Sequence, residues 1–90
     1  NLARALTELG ERGFSRVGLA EEGSEALESA KLTLPMALVL GAEGKGLRQL
    51  TRDHCDQLCH ITTRGTLASL NVSNAAAIAL HWASTTARPR

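Results

Sequence analysis

Aromatic residues are almost missing from this sequence: Phe14 and Trp82 stand alone, and there is no tyrosine. Modules that read single-stranded RNA by stacking its bases on aromatic platforms need more than that. If RNA is handled, most of its bases are read outside this segment. Cysteine is as scarce. Cys55 and Cys59 are too few for the disulfide framework of a small secreted domain. No charged-then-apolar leader opens the chain, and no apolar run approaches the roughly 20 residues that span a bilayer. The cytoplasm is therefore the expected compartment, with no membrane partner. Charge of one sign is lacking too. A formal net charge of +1 provides no strong field for nucleic acid or lipid.

What is present suits one small globular unit, with 43% hydrophobic and 21% charged residues over 90 positions. A unit of this size buries only roughly 60–65% of the surface its unfolded chain exposes, so its stability is marginal if it stands alone. The helical pattern is already under way at Asn1. The chain is therefore expected to be a piece of a longer polypeptide.

Leu2, Leu6 and Leu9 recur at helical spacing, and Gly10 and Gly13 close that helix at about Arg12. Arg16 to Ala20 reads as a short strand. Glu21 to Leu34 is polar and mixed, with a helical turn expected over Ser24 to Leu27. Pro35 closes this connection, and Met36-Ala37-Leu38-Val39-Leu40 is apolar at every position, which predicts a strand buried on both faces. A glycine-rich loop, Gly41 to Gly46, leads into a short helix over about Leu47 to His54. Asp56 to Ile61 alternates like a strand. The last helix runs from about Asn71 to Thr85, with Val72, Ala75, Ala76, Ala79 and Ala83 as a small-residue stripe and Ile78 and Trp82 on a second apolar face. Two such faces call for two neighbours. The tail Ala87 to Arg90 is expected to fray. Strands and helices alternate throughout, so the fold class is α/β with a mostly parallel sheet and flanking helices.

In such sheets ligands sit beyond the carboxyl ends of the strands. The loop after Leu40 has the order G-x-x-G-x-G, which is neither the dinucleotide fingerprint nor a Walker loop. Glu43 within it repels phosphate and suits a cationic or weakly charged ligand. A plain turn with a solvated glutamate explains the same residues. Leu67 to Asn74 could hold a ligand with its small polar groups, but on spacing alone a helix cap by Ser69 or Asn71 is the simpler account. His54, Cys55, Cys59 and His60 form one dense cluster. Structural zinc usually pairs two, so packing is favoured and no metal is expected. Lys45, Arg48 and Arg52 beside the glycine loop could meet phosphates, although solvated surface bases are the commoner case. His81 reads as a packing or interface residue.

Taken together, two of these segments resemble a known family. Leu38-Val39-Leu40-Gly41-Ala42-Glu43-Gly44-Lys45-Gly46-Leu47 is similar to the second motif of the SpoU RNA methyltransferases, and Leu67 to Ala75 to the third. Asn1 to Leu6 and Leu50 to Asp56 resemble the subgroup that methylates guanosine ribose in large-subunit rRNA. The resemblance implies a SPOUT methyltransferase fold, of which residues 1–90 would be the C-terminal, trefoil-knotted portion of the catalytic domain. It implies S-adenosyl-L-methionine as cofactor, enclosed by Gly41, Ile61 and Leu70, with Glu43, Ser69 and Asn71 as polar residues of the active site. It further implies an RNA substrate, rRNA before tRNA, and a homodimer. A sulfonium cation agrees with an acid in the glycine loop. The family's first motif, with an asparagine and a catalytic arginine, has no counterpart here and is expected upstream. Thr62 also departs from the subgroup, which often has proline at that position. Two other readings compete with this one, a SPOUT-like module that binds RNA without catalysis and an unrelated α/β nucleotide-binding domain.

Overall fold

The computed structural model describes residues 1–41, 46–62, 72–86 and 88–89. Helix α1 spans Leu2–Glu11. It starts where the Asn1 side chain accepts a hydrogen bond from the Arg4 amide at 3.1 Å, satisfying a donor the first turn leaves free. It ends in a Schellman arrangement. Gly13 has φ +89°, and the amides of Gly13 and Phe14 donate to the carbonyls of Gly10 and Leu9 at 3.0 and 2.9 Å. Leu6 is buried and Leu9 packs beside it, whereas Leu2, the third residue of the expected stripe, is exposed.

Strand β1 follows at Ser15–Leu19, and β2 at Glu25–Ala26. A single 3-10 turn, Leu27–Ser29, leads to β3 at Thr33–Leu34 and β4 at Met36–Leu40. Helix α2 covers Gln49–Asp53, β5 covers Gln57–His60, α3 covers Val72–Thr86, and β6 is Arg88–Pro89. Strands pair in the order β2-β5-β1-β4, every pair parallel. The expected α/β class with a parallel sheet is what the chain adopts.

Register divides the hydrophobic residues between two faces. Val17 lies opposite Leu38, and Leu19 opposite both Leu40 and Cys59. That face forms one core with Leu27, Leu32, Ala79 and Ala83. Gly18 lies opposite Val39 and Leu58, and this other face packs on Leu6, Leu9 and Leu47. The small-residue stripe of α3 therefore has a use: with alanine at 79 and 83 the helix lies close to the sheet.

Three expectations are corrected. No helical turn forms over Ser24 to Leu27; Glu25 and Ala26 instead add β2 to the sheet edge, a strand too short to show an alternation. Arg88 and Pro89 do not fray. They pair with Thr33 and Leu34, and the Arg88 amide donates to Leu32 at 3.1 Å. Strand β4 is only partly covered on one face by the described residues. Val39 is buried, but β4 is the edge of the described sheet, and Met36, Leu38 and Leu40 line an open groove of about 560 Å³ beneath Ala76 and Leu80 of α3.

Candidate functional site

Because the strands are parallel and in register, Leu19, Leu40 and His60 finish at one end of the sheet. Gly41 and Ile61 are the residues that leave this end from β4 and β5, with β1 between them. At the usual strand spacing that puts their backbones about 10 Å apart. Two of the residues expected around a ligand are thus brought to one end of the sheet. Glu43, Ser69, Leu70 and Asn71 lie outside the described residues.

Gly41 has no room for a side chain. A Cβ on it would sit 2.1 Å from the carbonyl carbon of Gly46 and 2.6 Å from the Leu47 nitrogen, so the loop closes on itself backbone to backbone. Gly46 serves a different need. Open space surrounds its Cα, but its φ of +68° is one that side-chain-bearing residues rarely adopt. Leu47 then turns inward, buried against Leu6 and Val39, and anchors the far end of the loop.

On the other side, Ile61 is half-buried and packs on the core that contains Leu27 and Cys59. Its strand is held from three directions. The backbone of β2 pairs with Cys59 and His60, and the Ala20 amide donates to the Cys59 carbonyl at 2.9 Å. His60 Nδ1 lies 2.8 Å from the Gly23 carbonyl. Thr62 donates its hydroxyl to Glu28 Oε1 at 2.7 Å, and that bond holds the Glu28 carboxyl below the usual carboxylate range. Gly23 is itself pressed against β5, since a Cβ there would come within 2.6 Å of the Cys59 carbonyl carbon. None of these contacts was legible in the polar stretch from Glu21 to Leu34. The one hint was a glycine beside two glutamates at the start of a connection.

The cysteine and histidine cluster is spoken for. Cys55 Sγ lies 3.4 Å from the Thr51 carbonyl, His54 Nδ1 lies 2.8 Å from that of Leu50, and burial raises both thiols. Among the described residues no three potential ligands gather around a point. Of the bases near the loop, Arg52 is paired with Glu22 from the β1–β2 turn, while Arg48 is exposed. No helix among the described residues is long and apolar enough to cross a membrane.

Residues 1–81 match the SpoU rRNA Methylase family. The chain belongs to that family. Over 80 residues it is 51% identical to the 23S rRNA (guanosine-2'-O-)-methyltransferase RlmB of Pectobacterium atrosepticum, covering 89% of this chain and 33% of that protein. The protein of the same description from Haemophilus influenzae is 49% identical over 81 residues, with the same coverage. Among solved structures, the TrmH/SpoU tRNA modifying enzyme of A. aeolicus superposes with a TM-score of 0.84 at 30% identity, over 96% of this chain and 44% of that one. The SpoU methyltransferase AviRb of Streptomyces viridochromogenes, solved in complex with the cofactor AdoMet, gives 0.77 at 30% identity, over 91% and 32%. This SpoU chain spans about a third of the length of the RlmB proteins it matches.

Proposed function

We propose that this SpoU chain is the cofactor-binding part of an RNA ribose 2'-O-methyltransferase, acting on rRNA. The observation that carries the reading is the neck of the glycine loop, Gly41 against Gly46, standing at the same end of the sheet as Ile61 in a chain of this family. Bound S-adenosylmethionine supplies an activated methyl group on a sulfonium. The residues present fit it. At the loop's two ends Gly41 and Gly46 present backbone without side chains, and Ile61 offers an apolar wall. Gly41, Ile61 and Leu70 would enclose the cofactor. Glu43, Ser69 and Asn71 would line the active site, positioning the ribose hydroxyl and helping to remove its proton.

Two further features belong to the same proposal. The chain from Ser69 onward is threaded through the loop around Gly41 to Gly46 as a trefoil knot, as the resemblance to SpoU enzymes implies. The complete protein is a cytoplasmic homodimer, and α3 supplies part of the interface. In support, Leu80 of α3 is 60% exposed at the rim of the groove along β4.

Tritiated methyl transfer from the complete protein to total RNA, followed by nucleoside mapping, tests the reading. Label in a 2'-O-methylribose is the expected result, and label confined to a base would overturn it. Residues 1–90 alone should transfer nothing, because the first motif is absent; turnover by that chain would show that the motif is dispensable.

A further inference from the structure

The contacts that hold the exit of β5 point past the loop residues to a pair the family motifs do not contain. Thr62 is the last described residue before 63–71, the stretch that leads to Ser69, Leu70 and Asn71. Its side chain is held by Glu28, 34 positions earlier. Glu28 in turn has a fixed base. It sits in the 3-10 turn whose first residue, Leu27, is 3% exposed and packed in the main core, and the Ala30 amide closes that turn on the Leu27 carbonyl at 3.2 Å. One residue before the turn, Ala26 pairs with His60. The exposed carboxylate is thus presented from a turn anchored in the core and beside a strand that pairs with β5, and it reaches the residue directly after Ile61.

We infer that Glu28 and Thr62 are positioning residues for the cofactor site: their hydrogen bond sets the direction in which the chain leaves β5, and so the placement of Ile61 against S-adenosylmethionine. Neither touches the reacting atoms. The inference rests on the function proposed above. Its physical basis is that a side-chain bond at a strand exit narrows the backbone conformations open to the residue that carries it. Binding a ligand then costs less ordering of that exit. Cofactor affinity should respond more than the chemical step.

The test uses the complete protein, with S-adenosylmethionine affinity read by calorimetry, kcat by methyl transfer, and amide exchange of 57–62 read without ligand. Thr62→Val and Glu28→Ala should each weaken cofactor binding by about three- to tenfold, the range one hydrogen bond spans. Both should speed exchange at the exit while kcat and thermal stability stay near wild type. Thr62→Ser, which keeps the hydroxyl, should bind as wild type does, and the double variant should be no weaker than either single one. Wild-type affinity in both single variants, or fully additive losses, would overturn the inference while leaving the function standing. A wild-type protein that binds no S-adenosylmethionine would overturn the function and the inference with it, whatever the exchange data show.

Discussion

Gly41 and Gly46 sit at the two ends of one loop for unrelated reasons. At Gly41 a single added carbon meets the backbone of Gly46 at 2.1 and 2.2 Å, and neither partner is the flexible end of a side chain. Gly41→Ala should therefore lower stability by about 1–3 kcal/mol, the usual cost of overpacking, and reduce cofactor affinity in parallel. Gly46→Ala meets nothing and should cost about 1 kcal/mol through its positive φ alone. Thermal melts with and without S-adenosylmethionine separate the cases. If Gly41→Ala melts like wild type and fails only to bind, the glycine is there for ligand space and not for loop closure. From the residue pattern alone these two glycines were interchangeable. Composition indicates a glycine loop, but which member bears contact and which bears torsion depends on how the loop closes.

At the scale of elements, Arg16 ties three of them together. Its guanidinium donates to both Asp56 oxygens, at 2.9 and 3.1 Å, and to the Leu6 carbonyl at 3.2 Å. Its amide also donates to Asp56. The head of β1, the residue before β5, and α1 are joined at the end of the sheet opposite the candidate site. Hydrogen bonding by Arg16 holds the Asp56 carboxyl below its ordinary range. A carboxyl depressed in the folded state contributes stability above its unfolded pKa of about 3.9, and that contribution is lost as pH falls through the lower folded value. Asp56 is substantially exposed, so the contribution is at most about 1 kcal/mol. Asp56→Asn should lower the melting temperature slightly at pH 7 and flatten its decline below about pH 4. An unaltered acid limb would assign that decline to other carboxyls. Elements themselves were largely legible. Helix α1, strands β1, β4 and β5, and helices α2 and α3 fall within a few residues of where the sequence pattern puts them, because each except α2 carries its own local apolar pattern. Strands β2, β3 and β6 were not, since two-residue strands have no period and exist only through their partners.

At the scale of the whole molecule, β4 is the element that needs cover. A strand of five apolar residues ordinarily lies inside a sheet, yet among the described residues one flank of β4 is unpaired and one face only partly covered, beside Leu80 and Leu34, 60% and 42% exposed. The SpoU relatives are about three times as long as this chain, and the homodimer proposed above offers a second source of cover. Leu80→Glu in the complete protein should shift sedimentation from dimer to monomer with little loss of helix. Retained dimer with a lowered melting temperature would mean that Leu80 is covered within its own chain and that the interface lies elsewhere.

The sequence by itself determined the family and the parallel α/β class, and through the family resemblance nominated the candidate cofactor residues, because motif order and apolar repeats are written in local spacing. It could not reveal that Gly41 presses on Gly46, that Arg16 grips Asp56, or that Glu28 reaches Thr62. Those contacts join residues that are close only once the strands are in register. Tertiary structure alone decided them, since register sets which side chains from distant segments arrive at the same end of the sheet.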